Sequence, residues 1–306
     1  MIKRTLYFGN PAYLKTQNEQ LVVTLPEQNS GLHEKFRSTT IPIEDIGLVI
    51  LDNQQITISQ AVITKLLANN VAFITCDNTH HPTGMMLNLD GNTTQSERFA
   101  TQLEVSLPMK KQLWSQTVEQ KITNQAMVLK QQNQGEYKVL INFVNQVRSG
   151  DPDNFEGRAA AYYWKHVFGE GFGFLRHREG NSPNHLLNYG YAIIRASVAR
   201  ALVGSGLLPT LGIHHRNKYN AYCLADDIME PYRPYVDSLV CDILKAGKAS
   251  EEITKENKQE LLGLPAMDVM IDGEKSPLLV AVQRTSASLV KCYEGSQRKI
   301  LYPQMT

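Results

Sequence analysis

Gly212 to Pro234, GIHHRNKYNAYCLADDIMEPYRP, is the stretch from which this 306-residue chain is best read. Gly212-Ile213-His214-His215 is loop-like. Cys223 to Glu230 reads as the start of a helix, with Asp226, Asp227 and Glu230 weighting its first turns. Pro231 and Pro234 forbid an uninterrupted helix there, since an interior proline costs about 3 kcal/mol, so a first turn, kink or break is expected. The stretch therefore belongs to a helical body with a charged centre. His215 and Glu230 lie 15 positions apart. An imidazole beside carboxylates is a donor set for a divalent cation, one borderline nitrogen with hard, charged oxygens. Residue types alone leave a second reading open, a structural histidine with charges paired on a solvated face.

Upstream, Ser149-Gly150-Asp151-Pro152 reads as a helix start, a capping carboxylate followed by proline, with the helix running from Asp153 to about Phe168. Glu156, Ala160 and Tyr163 share one stripe. Glu156 is then either a third carboxylate for the same centre or a favourable helix-dipole charge contributing about 0.3–1 kcal/mol. The Gly-rich connector Gly169 to Gly180 has no nucleotide-binding spacing and no strand before it. Ser182-Pro183 opens a second helix, reaching about Val203 and ended by Gly204-Ser205-Gly206.

Residues 1–92 have a different texture. Thr5–Phe8, Gln20–Leu25, Ser38–Ile43, Gly47–Leu51, Ile56–Ile58, Val71–Thr75 and Gly84–Leu87 are short runs rich in β-branched and aromatic residues, separated by turn formers. One helix, Ser59 to Ala68, interrupts them. His80-His81 is read as a solvated turn, because adjacent extended residues face opposite ways. From residues 95 to 147 the spacing becomes helical, and beyond the opening stretch helices are expected at 236–244, 254–262 and 278–293, with a small hairpin at Val269–Glu274. The expectation is an α+β chain: a β-rich domain over 1–92 and a larger all-α domain over 93–306.

A hydrophobic content of 42% with 20% charged residues suits a globular chain with a sizeable core. No stretch approaches the roughly 20 apolar residues of a membrane span, and no leader follows Met1-Ile2-Lys3-Arg4, so a cytoplasmic location is expected. Cys76, Cys223, Cys241 and Cys292 are scattered without a CxxC pair, which argues against a disulfide framework or structural zinc. The net charge of +1 conceals a division: residues 157–220 hold 8 basic and 2 acidic side chains, and residues 221–275 hold 6 and 12. A basic block beside an acidic centre suits a polyanionic substrate. Arg158, Arg176, Arg178, Arg195, Arg216 and Lys218 are its candidate DNA contacts; solvated or paired charges are the alternative.

Four ordered motifs carry a resemblance. They are D-P-x-N-x-E-G-R-A-A-A-x-Y-W at Asp151–Trp164, N-x-x-L-N-Y-G-Y-A-I at Asn184–Ile193, G-x-H-H-R-N-K at Gly212–Lys218 and D-D-I-M-E-P-Y-R-P at Asp226–Pro234. Together the chain resembles the CRISPR-associated adaptation endonuclease, the integrase that inserts new spacers into CRISPR arrays, in a form closest to type II systems. The resemblance implies Glu156, His215 and Glu230 as catalytic ligands of Mg²⁺ or Mn²⁺, with His214, Asp226 and Asp227 supporting them. It implies a homodimer formed through the β-rich domains and a heterohexamer with a small ferredoxin-like partner, other type II CRISPR proteins being further candidate partners. It also implies duplex DNA, prespacer and CRISPR repeat, as substrate. A free-standing metal-dependent nuclease and a non-catalytic DNA-binding scaffold are the competing readings.

Overall fold

The computed structural model describes residues 3–26, 36–78, 80, 82–169, 171–177, 180 and 182–306. Arg178, a candidate DNA contact, and His81 lie outside the described residues. The chain divides into two compact units, residues 1–93 and 94–306.

In the first unit the runs rich in β-branched and aromatic residues form strands, as expected. One four-stranded sheet places β1 (Arg4–Phe8), β5 (Ile46–Leu51), β7 (Ala72–Cys76) and β8 (Pro82–Met86) side by side. The first three are parallel, and β8 is antiparallel to β7. A second sheet runs β4 (Phe36–Pro42), β3 (Gln20–Pro26), β2 (Ala12–Gln17), β6 (Ile56–Ile58). Helix α1 (Gln60–Ala68) begins at the expected place, although the Ser59 side chain makes no capping bond. Leu14, Leu21, Val23, Ile46, Val49, Val62, Leu66 and Phe73 belong to one apolar core shared by both sheets and α1. Strand β2 escapes the sequence pattern because only Ala12 and Leu14 face inward, alternating with exposed Tyr13 and Lys15. Its pairing is set by the two-residue turn Asn18-Glu19, both at positive φ (49° and 56°), which returns the chain directly into β3.

The second unit is mostly helical: α2 (Gln95–Glu104), α3 (Leu107–Gln132), α4 (Tyr137–Val144), α5 (Phe155–His166), α6 (Asn184–Gly204), α7 (Cys223–Met229), α8 (Arg233–Lys245), α9 (Lys255–Leu262) and α10 (Leu278–Tyr293). It is not all-α. The hairpin read at Val269–Glu274 forms as β9 (Asp268–Ile271) and β10 (Glu274–Pro277), turned by Asp272-Gly273 at positive φ, and β11 (Pro303–Gln304) adds a third strand. The two residues of β11 are too few to show a sequence period.

Helix α3 is the axis of this unit. Ser106 caps it by accepting from the Met109 N–H, and Pro108 sits in its first turn, where it removes no bond. The helix packs against α4, α5, α8 and the turn at Glu230, and is buried on several faces. That burial includes the polar side chains of Lys121, Asn124 and Gln125. Helix α6 packs close to α8: a Cβ at Gly190 would stand 2.4 Å from Val236 Cγ1.

One correction concerns a helix start. Helix α5 begins at Phe155, not Asp153, and Pro152 precedes the helix. Asn154, at φ 52°, is the N-cap and accepts from the Gly157 N–H, while the Asp151 carboxylate reaches forward to the N–H groups of Phe155 and Glu156, both at 2.9 Å. Two side chains thus satisfy three of the first-turn donors. The prolines after Glu230 act as expected: α7 gives way to a 3₁₀ turn over Glu230–Tyr232, and Pro234 lies in the first turn of α8. All four cysteines are free and buried. Among the described residues no helix is long and apolar enough to cross a membrane.

Candidate active site

Glu156 is the second residue of α5, and its own N–H is held by Asp151, so the helix start fixes where its side chain departs. Glu230 opens the 3₁₀ turn. Both carboxylates pair with one ammonium, that of Lys121 on α3: Glu156 in close contact and Glu230 Oε2 at 2.6 Å. This Glu230 oxygen is buried, and the Lys121 ammonium is its charged partner. The other oxygen, Oε1, accepts from Arg233 Nε at 2.8 Å, and the Arg233 guanidinium lies over the Tyr191 ring at 4.6 Å. Burial alone would raise the Glu230 pKa, but Arg233 and Lys121 outweigh it and hold the carboxyl down at about 2. Burial works against the Lys121 charge too, yet Glu230 and Glu156 keep its pKa above the ordinary lysine value. One turn along α3, Asn124 donates to the carbonyls of Pro231 (2.7 Å) and Pro303 (3.1 Å), tying the Glu230 turn to the same helix.

The histidine loop is organised by Asp227, fully buried on α7. Its Oδ2 accepts from the His214 N–H (2.9 Å), and its Oδ1 accepts from the His215 N–H (3.3 Å) and from His215 Nδ1 (2.5 Å). The loop comes this close because Gly212 has no Cβ. One built there would lie 2.4 Å from the His215 carbonyl oxygen and 2.8 Å from Asp227 Oδ2. With Nδ1 engaged, Nε2 is the His215 nitrogen left to bind. The His215 pKa is raised, first by the Asp227 bond and then, against burial, by the charges of Asp227, Glu230 and Glu156. Trp114 of α3 stacks on His214 with ring centres 4.1 Å apart and meets His215 edge-on at 5.6 Å. The two imidazoles are perpendicular. The His214 pKa is lowered by burial and by His215.

Asp226 points elsewhere, accepting from Arg195 Nε and Asn220 Nδ2, both at 2.7 Å, and so pins the loop rather than touching His215. The described arginines and lysines of the basic block have different surroundings. Arg195 pairs with Asp226, and Arg176 binds Asn184, Asn188 and the His177 carbonyl, anchoring its loop to α6. Arg158 is exposed, its guanidinium over Phe155 (4.5 Å) and Phe143 (5.1 Å). Arg216 and Lys218 are exposed and, with Lys110 and His215, line a cleft of about 360 Å³.

Sequence reading missed Trp114, Lys121, Asn124 and Arg233. A signal existed for all four. Trp114, Thr117, Lys121 and Asn124 recur at three- and four-residue steps, a stripe with three polar members on a helix that is otherwise packed. Arg233 stands three residues after Glu230, ordinary spacing for a helical ion pair.

Among the described residues no three His, Cys, Asp or Glu side chains converge into a cation cage; the Lys121 ammonium lies between the two carboxylates. The donor chemistry nevertheless fits a hard divalent cation. It offers two carboxylates already gathered around a positive charge and an imidazole with Nδ1 fixed from behind by a carboxylate.

The family described as CRISPR associated protein Cas1 matches residues 6–267. The chain is 36% identical over 289 residues to a CRISPR-associated endonuclease Cas1 of Neisseria meningitidis serogroup C (strain 8013), covering 94% of this chain and 91% of that one. Among solved structures it resembles a casposase bound to an integration product, with a TM-score of 0.75 at 17% identity over 98% of this chain and 92% of the other. It also resembles a chain of a Cas6-RT-Cas1–Cas2 complex, with a TM-score of 0.72 at 19% identity over 97% of this chain and 35% of that longer one. A family match over most of the length, a close relative of nearly equal extent and a shared fold agree with one another, and this chain belongs to the CRISPR-associated Cas1 family.

Proposed function

We propose that this protein is the integrase of CRISPR adaptation, joining the 3′-hydroxyl ends of a duplex prespacer to the phosphodiesters of the CRISPR repeat. The observation that carries the reading is the meeting of Glu156 and Glu230, from separate elements, on one buried ammonium near a histidine locked by Asp227. In the joining step the 3′-oxygen forms a bond to phosphorus and the bond to the outgoing strand oxygen breaks. The attacking hydroxyl loses its proton and the outgoing oxygen gains one. The number of phosphodiesters is unchanged, so no ATP and no covalent protein intermediate is required.

Glu156, Glu230 and His215 through Nε2 would hold Mg²⁺ or Mn²⁺. When bound, such an ion offsets charge at the scissile phosphate and makes a coordinated hydroxyl more acidic. Asp227 holds the His215 ring in the tautomer that leaves Nε2 open, and Trp114 limits its swing. Arg233 keeps Glu230 ionised and aimed. Arg216, Lys218 and Lys110, beside His215, are placed to contact DNA phosphates. Arg158 is an exposed further contact, whereas Arg176 and Arg195 act by holding the loops in place. The β-rich unit is the proposed dimerisation surface, and a small ferredoxin-like protein is the proposed partner in a heterohexamer. The Cas6-RT-Cas1–Cas2 complex among the structural neighbours supports assembly with a partner protein.

The test is an integration assay with labelled duplex, a supercoiled plasmid carrying a repeat array, and Mn²⁺ or Mg²⁺. Joined product is expected from the wild type and not from His215→Ala. Undiminished joining by Glu230→Ala would sink the ligand assignment. Cleavage without joining would instead identify a free-standing nuclease, and DNA binding with neither would identify a scaffold subunit.

A further inference from the structure

We propose that Lys121 is a positioning residue that competes with the divalent cation for Glu156 and Glu230, gathering the carboxylates and setting how tightly the cation binds. The inference rests on the reading above that these two carboxylates are ligands. Its basis is the geometry of three charged groups on three elements. Glu156 and Glu230 are 74 positions apart in the chain, and what they touch in common is the Lys121 ammonium. The Lys121 side chain is only 8% exposed. A cation so placed shares the oxygens with which a metal would have to be bound.

The surroundings make the competition specific. Asn124, one turn further along α3, holds the Pro231 carbonyl at 2.7 Å, so the Glu230 turn and the root of Lys121 are fixed relative to each other. Glu230 keeps a second cation, Arg233, at 2.8 Å on its other oxygen, and stays neutralised if Lys121 moves. The ammonium is a compact charge on a flexible four-carbon stem, able to withdraw without moving the helix. Two carboxylates with no cation between them repel, whereas an ammonium and a divalent ion at the same oxygens repel each other more strongly. The lysine therefore preorganises the ligands at the cost of metal affinity.

The experiment is calorimetric titration of Mn²⁺ into the full-length protein, with thermal melts in the presence and absence of Mn²⁺. Lys121→Met is expected to bind Mn²⁺ roughly tenfold tighter or more than the wild type, from loss of a unit positive charge beside the ion. Its melting temperature without metal is expected to fall, and the rise on adding Mn²⁺ to exceed that of the wild type. Lys121→Arg keeps the bridging charge in a forked head that grips carboxylates in pairs, so it is expected to bind Mn²⁺ several-fold more weakly. A merely structural lysine would give weaker binding in both variants. A folded Lys121→Met with unchanged or weakened Mn²⁺ affinity overturns the proposal. If that variant does not fold, Lys121→Gln, which also removes the charge but keeps a polar head, takes its place, and Mn²⁺ affinity equal to or below wild type overturns the proposal. Mn²⁺ binding that survives Glu156→Gln with Glu230→Gln overturns the ligand reading itself, a failure recognisable because it does not involve Lys121.

Discussion

Asp227→Asn isolates what a buried charge does for His215. The carboxylate accepts three bonds on two oxygens, from the N–H of His214 and of His215 and from His215 Nδ1. Asparagine matches its size but has one acceptor oxygen, so at least one of these donors must face an NH₂ group. A stranded buried donor costs about 1–3 kcal/mol. Weakening the carboxylate behind a ligating imidazole typically costs about 10–100-fold in metal affinity or activity. The pH dependence gives a sharper reading. The His215 pKa is raised above its ordinary 6.5, with the Asp227 bond as the largest cause. Because the folded value exceeds the unfolded one, the resulting stability is fully present below about pH 6.5 and is lost as pH rises through the folded value. Cation binding needs the neutral ring and so runs the other way, gaining over the same interval. Asp227→Asn should move both profiles to lower pH, together with the His215 titration followed by NMR in metal-free protein. A folded Asp227→Asn whose His215 midpoint is unmoved would refute the reasoning, since the largest cause of the shift would have been removed without effect.

Two further outcomes are expected. Arg216→Ala with Lys218→Ala should weaken duplex binding alike for all sequences and lower the slope of log K against log salt by about two, measured by fluorescence anisotropy across a salt series; an unchanged slope removes this cleft from the DNA surface. Gly212→Ala must push the loop off Asp227, because its Cβ would meet the His215 carbonyl at 2.4 Å. That should cost about 1–3 kcal/mol in denaturant unfolding and shift the His215 titration, and unaltered stability and titration would show that the loop is not held this tightly.

Some of this architecture is local and was legible as such. Runs rich in β-branched and aromatic residues before residue 90 became two sheets, helical spacing after residue 95 became α2 to α10, and Asp272-Gly273 became the turn of a hairpin. Proline placement foretold the break at Glu230, where α7 yields to a 3₁₀ turn. Each is a property of neighbouring residues, governed by backbone preference and by which side of an element is apolar. Glu156, His215 and Glu230 were also legible as candidates, because hard and borderline donors are recognisable by type. Where the signal was weak the reading failed: β2 has only two inward apolar residues, and α5 starts at Phe155 rather than Asp153, with the Asp151 carboxylate reaching it from four positions away.

What charges do to one another was not local, and only the tertiary structure decided it. Only the fold shows that Arg195 meets Asp226 and that Arg176 meets Asn184 and Asn188. His214 and His215 are neighbours in sequence, yet Trp114 stacks on one ring and meets the other edge-on. Lys121 is one of several polar residues of α3, and folding set it between carboxylates 35 and 109 positions away. Apolar periodicity reports that a face is buried, but the partner of a buried charge is chosen by contacts between distant segments, to which no spacing along the chain corresponds.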